Sequence, residues 1–356
     1  MKKIRVLVVD DSFFMRRLIS DMLLENESID VIDTAKNGLE AIEKTLNLSP
    51  DIVTLDIEMP IMDGLEALQK IMTQHPVPII MLSSLTKQGA DTTIKALHFG
   101  AFDFIQKPSG AISFDIENIK NELIDKVLIA NSQKKQFLKQ WKFSNKASFN
   151  VKPNNKVDFI YPAIKNDSYN GIVAIGASTG GPKALQEVIT SIPKNFPYPI
   201  LIVQHMPAGF TNSLANRLNS LSEISVVEAS DNELIEPGNV YLAPGDYHME
   251  VKENKNKLYI NLNQKDTVGG HRPSVDTLFA SLTGISFKKI FVIMTGMGSD
   301  GTKGLLEAKK IGDISIAQDE KTCVVYGMPR AAIQSGLIDI TAPLYQISDK
   351  ILSSVQ

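Results

Sequence analysis

The sequence of 356 residues predicts two α/β domains, each with a mostly parallel β-sheet, joined by a basic linker. Short apolar runs alternate with helix-like segments over residues 1–125, the alternation stops over 126–168, and it resumes over 169–356. Such alternation is typical of a parallel sheet with helices on both faces. The second region also contains "YHMEVKENKNKLYINL" at 247–262, whose two β-type runs flank a polar turn near Asn254-Asn256 and predict an antiparallel hairpin.

The individual elements follow from local changes in residue pattern. Five apolar runs of β type indicate strands at 4–9, 29–34, 51–55, 78–82 and 102–105. The segments between them indicate helices at 13–25, 37–48, 64–74 and 88–98, with a further helix after 115. In the second region, strand-like runs occur at 171–176, 199–204, 224–228, 239–242, 289–294, 313–317 and 337–340. Both regions therefore have the element order of an open α/β sheet, which is doubly wound in the second region.

Composition is that of an ordinary soluble globular protein, with 43% apolar and 22% charged residues and a net charge of −3. This charge gives no reason to expect nucleic-acid binding. No run approaches the roughly 20 apolar residues of a membrane span, and a secretory signal is lacking, so a cytoplasmic protein without membrane insertion is expected. Cys323 is the only cysteine, which excludes an intramolecular disulfide and disfavours a thiolate metal cluster.

Residues 126–168 are interpreted as a helix tail and linker. Ten lysines face only three carboxylates between 120 and 165. A basic docking or nucleic-acid arm is the alternative, but charge runs are more often solvated segments, so the linker is favoured. Trp141 and Phe143 indicate that part of the segment packs against a domain.

Polar residues follow the predicted strands of the first domain at the points where the strands end. Asp10 and Asp11 follow the first strand, Asp56 the third, Ser83 the fourth, and Lys107 comes shortly after the fifth. Ligands bind at this edge of an open α/β sheet. Converging carboxylates repel one another unless a cation lies among them, and oxygen-only ligands suit Mg²⁺. Strand-end aspartates also cap helices and Lys107 alone fits a surface lysine, but the combination indicates phosphoryl transfer to a carboxylate.

Four segments of this region resemble the receiver domain of response regulators, namely "VVDDS" (8–12), "LDIEMPIMDG" (55–64), "MLSS" (81–84) and "IQKP" (105–108). The resemblance implies a flavodoxin-like (βα)5 fold over residues 1–125. It also implies phosphorylation of Asp56 by a histidine kinase.

The same resemblance assigns the other residues of this site. Asp11 and Asp56 would ligate Mg²⁺ together with the backbone carbonyl of Glu58, and Asp10 would assist through water. Ser83 and Lys107 would contact the phosphoryl group. Phe104 stands at the position of the aromatic switch residue, and the bond from Lys107 to Pro108 is expected to be cis.

The glycine-rich turn "GASTGGPK" at 176–183 follows a strand of the second domain. A P-loop needs lysine where Pro182 stands, and a dinucleotide-binding fingerprint needs glycine where Ser178 stands, so neither phosphate-binding pattern fits. The pattern G-x-S-x-G does fit, between a strand and a helix predicted to begin at Pro182, and is typical of a nucleophile elbow. An incidental serine in a strand–helix turn remains the alternative at this point.

A nucleophilic serine needs a base, and the chain contains five histidines. His75 and His98 belong to the first domain, and His248 begins the predicted hairpin, where a surface or packing role is favoured. His271 precedes a helix start and fits the lining of the site. His205 ends the strand that follows the strand of Ser178, so it is the predicted base.

Asp300 lies in the glycine-rich turn of "FVIMTGMGSDGTKGLL" at 291–306, at the carboxyl end of another buried strand. It is the predicted orienting acid, although capping of the following helix is an alternative role. The backbone amides of Met297 and Gly298 in the same turn are candidate oxyanion donors. The order serine, histidine, aspartate differs from that of α/β-hydrolases.

Six blocks of the second domain resemble the catalytic domain of the chemotaxis protein-glutamate methylesterase: "GASTGGP" (176–182), "VQHMPAGFT" (203–211), "APGDYH" (243–248), "HRPSVDTLF" (271–279), "MTGMGSDG" (294–301) and "QDEKTCVVYGMPRAA" (318–332). The resemblance implies a catalytic domain over 169–356. It assigns Ser178 as nucleophile, Thr179 as its active-site neighbour, His205 as base, Asp300 as orienting acid and Met297 as the oxyanion-hole residue.

The implied substrates are glutamate γ-methyl esters and specific glutamines of methyl-accepting chemoreceptors, hydrolysed without a cofactor by a monomeric enzyme that phosphorylation activates. A response regulator with a non-catalytic protein- or DNA-binding output domain is the alternative. The second domain has no helix-turn-helix pattern and its basic charge lies in the linker, which disfavours the DNA-binding form.

Overall fold

The computed structural model describes residues 2–107, 116–147, 171–255 and 257–355. Contacts divide the chain into two compact units, Met1–Lys152 and Pro153–Gln356, and each unit contains a parallel sheet. The predicted cis bond before Pro108, the turn residue Asn256 and linker residues 148–168 lie outside the described ranges. In the part of the chain that the structure describes, no helix combines the length and the apolar character needed to span a membrane.

The first unit is a five-stranded sheet with helices between its strands, as predicted. Its strands are β1 (Ile4–Val9), β2 (Ile29–Ala35), β3 (Ile52–Asp56), β4 (Ile79–Ser83) and β5 (Asp103–Gln106). Its helices are α1 (Phe13–Leu24), α2 (Gly38–Leu48), α3 (Gly64–Gln74), α4 (Lys87–His98) and α5 (Ile116–Ala147). The strand order β2-β1-β3-β4-β5, with every pairing parallel, is the flavodoxin-like order and confirms the predicted fold.

Capping side chains fix where four of these helices begin. Ser12, Asn37, Asp63 and Thr86 each accept a hydrogen bond from the backbone N–H three residues later. Such caps stabilise a helix by about 1 kcal/mol each. Because they fix the helix starts, they also fix the loops at the carboxyl ends of β1 to β4.

Helix α5 continues to Ala147, through much of the segment interpreted as helix tail and linker. Phe137 packs edge-on against Phe102, with ring centroids 5.3 Å apart. Lys134 Nζ lies 2.8 Å from Asp51 Oδ1 at the start of β3. These contacts with distant residues support a helix that the lysine-rich composition alone does not predict.

Trp141, further along α5, also contacts residues that are distant in the sequence. Its Nε1 donates to the carbonyl of Met72 at 3.2 Å. Its indole covers Gly100, where a Cβ would come within 2.3 Å of the ring. The expectation that part of this segment packs against a domain is therefore confirmed for Trp141, whereas the side chain of Phe143 lies outside the description.

The second unit contains a seven-stranded parallel sheet in the order β14-β13-β12-β6-β7-β9-β8, and a separate antiparallel hairpin. The strands of the sheet are β6 (Gly171–Ala177), β7 (Ile200–Gln204), β8 (Ser225–Glu228), β9 (Asn239–Leu242), β12 (Lys288–Ile293), β13 (Ile314–Gln318) and β14 (Ile340–Ala342). The hairpin pairs β10 (His248–Asn254) with β11 (Lys257–Asn263). The helices are α6 (Gly181–Ile189), α7 (Phe210–Leu221), α8 (Val275–Ser281), α9 (Thr302–Ala308), α10 (Met328–Gln334) and α11 (Leu344–Ser353).

The last strand is displaced from its predicted position. The apolar run at 337–340 predicted a strand there, but β14 begins only at Ile340. Leu337 and Ile338 instead pack against the core before the strand starts, which explains their apolar character. The remaining predicted strands of the sheet agree with the structure to within one or two residues.

Strand β6 lies in the middle of the sheet, between β7 on one side and β12 on the other. All seven of its residues are buried, as expected for a central parallel strand covered on both faces. Because the chain leaves β6 toward β7 and later returns to its other side at β12, the carboxyl end of β6 is the point where the strand order reverses. That edge is where open α/β sheets place their ligand sites.

Candidate active site and acidic site

The turn after β6 presents Ser178 immediately beyond the strand. The Ser178 N–H donates to the carbonyl of Thr295 at 3.0 Å, and its own carbonyl accepts from Gly181 N at 2.7 Å. Gly180 has a φ of +79°, and a Cβ there would lie 2.6 Å from Val324 Cβ. Both the backbone angle and the close neighbour require glycine, so a tight strand–helix turn presents Ser178, whereas Ser178 itself has no positive φ.

His205 and Asp300 form a buried hydrogen-bonded pair beyond the ends of β7 and β12. His205 Nε2 lies 2.7 Å from Asp300 Oδ2, and the side chains are 6% and 7% exposed. The backbone N–H of His205 donates to the carbonyl of Ala177 at 3.1 Å, which ties it to the residue before Ser178. Because a carboxylate only accepts, the neutral ring carries its proton on Nε2 and leaves Nδ1 as an acceptor. Within the described residues Nδ1 is buried and has no hydrogen-bond partner.

Asp300 is saturated with hydrogen-bond donors. Besides His205, its carboxylate accepts from the backbone N–H groups of Val275 at 2.7 Å and Asp276 at 2.9 Å, and from Ser274 Oγ at 2.9 Å. Burial by itself raises the pKa of this carboxyl, but the hydrogen bonds, together with the positive charge of His205 when its ring is protonated, lower the pKa by more than burial raises it, so the pKa falls well below its usual range. Asp300 is therefore ionised at neutral pH and fixed in orientation.

Asp276 is a supporting residue that the sequence analysis did not identify. Its Oδ1 accepts from the backbone N–H groups of Gly301 and Gly304, both at 2.8 Å, at the start of α9. Asp300 in turn caps α8, the helix that contains Asp276, whereas Asp276 caps α9, the helix that follows Asp300. Burial raises the pKa of Asp276 despite these hydrogen bonds. An aspartate near a helix start is too common in sequences to reveal this exchange.

The other histidines of the second unit occupy different positions. His271 stacks on His205, with ring centroids 3.8 Å apart and planes inclined by 13°. The expectation that His271 lines the site therefore agrees with the geometry. His248 is 1% exposed and its Nε2 lies 3.0 Å from the carbonyl of Asp266, which is a packing position.

The loop of Met297 and Gly298 lies against the serine. A Cβ on Gly296 would lie 2.8 Å from Ser178 Cβ, so only glycine permits this approach. The Gly296 carbonyl is occupied by Met328 N at 2.9 Å and holds the loop in place. Neither Met297 N nor Gly298 N donates a hydrogen bond to a described residue, so both amides are available as oxyanion donors.

Thr179, the neighbour of the serine, is also fixed by this loop. Its carbonyl accepts from Thr295 Oγ1 at 2.9 Å, and the residue is 9% exposed. The two glycine-rich segments after β6 and β12 are thus joined to each other as well as to the pair of His205 and Asp300.

In the first unit the structure brings Asp10, Asp11 and Asp56 together, with carboxylate oxygens within 4.8 Å of one another. Lys107 Nζ lies 2.7 Å from both Asp10 Oδ2 and Asp56 Oδ2. Burial raises the pKa of Asp56 to about 6, although the neighbouring ammonium of Lys107 opposes the shift. One lysine cannot balance three carboxylates, and the donors are all oxygen, so the residues fit a divalent cation such as Mg²⁺.

Neighbouring residues shape the surroundings of Asp56. Glu58 N donates to Asp56 Oδ1 at 3.3 Å, which places the backbone of Glu58 beside the cluster. A Cβ on Gly64 would lie 1.9 Å from the carbonyl oxygen of Asp56, so the start of α3 can approach only as glycine. Both residues belong to the segment "LDIEMPIMDG" that the sequence singled out.

Ser83 and Phe104 are both buried. Ser83 Oγ accepts from Thr93 Oγ1 at 2.7 Å, and the Ser83 carbonyl accepts from Lys107 N at 2.8 Å. The serine and the lysine are thus joined through the backbone at one edge of the sheet. Phe104 lies on β5 and is 4% exposed, with Lys126 Nζ 5.3 Å from its ring centroid.

Comparison with known proteins separates the same two regions. A profile of the family described as CheB methylesterase matches residues 173–351, and one described as response regulator receiver domain matches residues 6–115. The first match covers the unit that contains Ser178, and the second covers the unit that contains Asp56.

Relatives named protein-glutamate methylesterase/protein-glutamine glutaminase align with the whole chain. The protein of Halalkalibacterium halodurans is 49% identical over 351 residues, which are 98% of this chain and 98% of its own. The protein of Bacillus subtilis is 47% identical over 359 residues, covering 99% of each chain. The crystal structure of the Thermotoga maritima CheB methylesterase catalytic domain superimposes with a TM-score of 0.51 and 47% identity, covering 52% of this chain and 99% of that one.

Proposed function

The chain belongs to the CheB methylesterase family, and we propose that it hydrolyses glutamate γ-methyl esters, and deamidates specific glutamines, on methyl-accepting chemoreceptors. The names of its relatives state both activities. The observation that carries the proposal is the buried pair of His205 and Asp300 beside the turn of Ser178. In this pair His205 Nε2 lies 2.7 Å from Asp300 Oδ2. Phosphorylation of Asp56 would control the reaction.

In the acylation step Ser178 Oγ attacks the ester carbonyl carbon while His205 Nδ1 takes the hydroxyl proton. Nδ1 is free for this because Nε2 is already bound to Asp300. The imidazolium that forms lies against an ionised carboxylate, which stabilises its charge without accepting the proton. Asp300 thus orients the base and stabilises its charged form.

The negative charge that develops on the carbonyl oxygen needs donors. We assign this role to the backbone N–H groups of Met297 and Gly298, with Thr179 as the neighbouring active-site residue. One such donor contributes about 3 kcal/mol of transition-state stabilisation in comparable sites. These donors are backbone groups held by the close approach of Gly296 to Ser178, so they need no reorganisation during the reaction.

The tetrahedral intermediate collapses when His205 gives its proton to the departing methanol. Water then attacks the acyl-serine with the same histidine as base, and the receptor carboxylate is released. Deamidation follows the same steps with ammonia as the leaving group. The residues named here suffice for hydrolysis, and no cofactor is proposed for it.

The first unit is proposed to accept a phosphoryl group from a chemotaxis histidine kinase. An oxygen of Asp56 attacks the phosphorus, the bond from phosphorus to the nitrogen of the kinase histidine breaks, and Ser83 and Lys107 contact the phosphoryl oxygens. Asp11, Asp56 and the carbonyl of Glu58 would hold Mg²⁺, with Asp10 assisting through water. The bound cation would neutralise the negative charge of the carboxylates and the incoming group. Phe104 would act as the aromatic switch.

Regulation is proposed as a population shift. The unphosphorylated receiver would restrict access of receptors to Ser178, and phosphorylation at Asp56 would favour the accessible state. We also propose a cytoplasmic monomer with a receiver at 1–125, a helix tail and linker at 126–168, and a catalytic domain at 169–356. Binding of DNA is not proposed, since the family match covers the output domain.

Methanol release from methylated receptor membranes tests the proposal. Wild type and Ser178→Ala are compared with and without Mg²⁺ and a small phosphodonor, and Ser220→Ala on the exposed face of α7 serves as a matched control. We expect stimulated release by wild type and Ser220→Ala and none by Ser178→Ala. Release by Ser178→Ala at the wild-type rate would refute the serine mechanism and revive a non-catalytic role for the turn.

A further inference from the structure

We propose that His271 is a positioning residue whose imidazole holds the ring of His205 in the plane that serves both Ser178 and Asp300. The inference deepens the proposed function and rests on it, because it takes His205 as the base. The observation is the face-to-face contact of the two imidazoles, with centroids 3.8 Å apart and planes inclined by 13°. At that separation the rings are in van der Waals contact over their faces.

The stack restrains the tilt of the His205 ring, which the hydrogen bonds of His205 do not restrain. Nε2 is anchored to Asp300 at 2.7 Å, whereas Nδ1 has no hydrogen-bond partner in the described chain. The terminal torsion of a histidine side chain has broad minima, so a ring anchored at one nitrogen is still free to tilt about that bond. A second ring lying parallel on its face opposes the tilt and fixes the direction in which Nδ1 points.

His271 is itself presented by a preorganised turn. Val268 and His271 exchange two backbone hydrogen bonds, at 3.0 and 3.1 Å. The two residues between them, Gly269 and Gly270, have φ values of +59° and +83°, the combination that a two-residue hairpin turn of type I′ requires. The turn delivers the imidazole in a fixed direction.

The segment after this turn is held equally firmly. The guanidinium of Arg272 pairs with Asp246 Oδ1, at 2.6 Å from Nη2 and 3.0 Å from Nε. Its Nη1 donates to the carbonyls of Gln264 and Lys265, at 3.2 and 3.0 Å. The chain then reaches the start of α8, whose backbone N–H groups bind Asp300. One continuous segment therefore supports both members of the catalytic pair, the ring through the stack and the carboxylate through the helix start.

The restraint on His205 acts through the ring face of His271. In a parallel stack the nitrogen atoms of the two rings lie in separate planes, so no N–H···N hydrogen bond joins them and no proton passes between them. A phenyl ring at this position would keep the stack, whereas a leucine of similar volume would lose it. Comparing the phenylalanine and leucine variants therefore tests whether His271 acts through the shape of its ring or through proton transfer.

The test compares His271→Leu with His271→Phe in the full-length protein, using methanol release from methylated receptor membranes without phosphodonor. We expect His271→Leu to lower kcat about tenfold, because small misplacements of a catalytic group are costly, with KM within about twofold of wild type. His271→Phe should remain within about threefold of the wild-type kcat. His98→Leu, at an exposed histidine edge-on to Phe99 in the first unit, is the matched control and should leave basal kcat unchanged.

Three results would overturn the proposal: wild-type kcat in His271→Leu, a phenylalanine variant as slow as the leucine variant, or an effect on KM alone. Thermal unfolding of each variant is measured first, and His271→Gln replaces the leucine variant if that variant is unfolded. Ser178→Ala and His205→Ala are assayed alongside. Wild-type turnover by either of these would show that the proposed function has failed, which is a different result from failure at His271.

The proton on His205 Nε2 offers a readout that does not depend on activity. In the Ser178→Ala background, its NMR signal should broaden through faster exchange with water when leucine replaces His271, and stay narrow when phenylalanine does. A purely structural contribution of His271 elsewhere in the unit would not produce this difference between two folded variants. Equal line widths in the two variants would show that the stack does not restrain the ring of His205.

Discussion

Two aspartates at the carboxyl edges of the two sheets, Asp56 and Asp300, are both buried, yet their surroundings are opposite. Asp56 shares one ammonium, that of Lys107, with a second buried carboxylate, Asp10. Asp300 accepts hydrogen bonds from an imidazole, a hydroxyl and backbone N–H groups. Burial raises the pKa of Asp56 to about 6 against the opposing charge of Lys107, whereas the hydrogen-bond donors of Asp300 outweigh its burial and the pKa of that carboxyl falls well below its usual range.

The difference shows that burial alone does not decide what a strand-end aspartate does. A carboxylate with too few donors retains affinity for a cation or an electrophile, which suits a group that is to be phosphorylated. A carboxylate saturated with donors cannot take up a further partner and cannot easily turn, which suits a group that orients a base. The same residue type at the same edge of a sheet is therefore short of hydrogen-bond donors in one unit and saturated with them in the other.

The largest expected effect of breaking this contrast is catalytic. Asp300→Asn should lower kcat for methanol release by about 10⁴-fold, because an amide at this position favours the wrong tautomer of His205. Circular dichroism checks that the variant is folded. Retention of more than a tenth of the wild-type kcat would mean that Asp300 serves mainly as a helix cap.

The second effect concerns stimulation. Asp56→Asn should leave the basal rate of methanol release unchanged and remove all of its stimulation by Mg²⁺ and a small phosphodonor, because the amide cannot accept the phosphoryl group. Asp30→Asn, at an exposed aspartate on β2, is the matched control and should be stimulated like wild type. Full stimulation of Asp56→Asn would place the phosphorylation elsewhere.

The third effect is on stability and sharpens the contrast at Asp300. Because its pKa is lower in the folded state, Asp300 stabilises the fold above its unfolded pKa, and this contribution disappears as the pH falls toward the folded value. Asp300→Asn should therefore lower the free energy of unfolding of the second unit by about 2 kcal/mol at pH 7, since one amide hydrogen would face the donors of Val275 and Asp276. Urea titrations followed by circular dichroism should show the difference narrowing below about pH 4. A difference that is constant with pH would mean that the charge of Asp300 contributes nothing.

Most of the fold could be predicted from the sequence because strand–helix alternation is a local pattern. The positions of Ser178, His205 and Asp300 followed from it as well, since each comes after a strand and β7, β6 and β12 prove to be adjacent. The extension of α5 to Ala147 did not follow, because it depends on contacts of Phe137 and Trp141 with residues far away in the sequence.

Asp276 escaped prediction for a similar reason, and so did the stacking contact of His271, although His271 was expected to line the site. Asp276 carries no sequence signal beyond that of a helix start, and its exchange of caps with Asp300 exists only once α8 and α9 are packed together. The stack of His271 on His205 joins residues from two separate segments. Its one local signal is the pair Gly269-Gly270, which predicts a tight turn but not what the turn presents.

The smallest expected effect has the opposite sign to that at Asp300 and is the strictest test of the contrast. The pKa of Asp56 is raised from 3.8 to about 6 in the folded state, so the folded protein binds the proton more tightly and loses stability as the pH rises between these values. Asp56→Asn cannot ionise and avoids this loss, whose size already includes the favourable charge of Lys107. We therefore expect the free energy of unfolding of the first unit to increase by about 1 kcal/mol at pH 7 without Mg²⁺, and to be unchanged below about pH 4. Trp141, the only tryptophan, reports this unit by fluorescence.

Adding Mg²⁺ should stabilise wild type more than the variant, because the variant has lost a proposed ligand. A variant less stable than wild type at pH 7 without Mg²⁺ would show that the ion pair with Lys107 outweighs burial, and that Asp56 and Asp300 are stabilised alike.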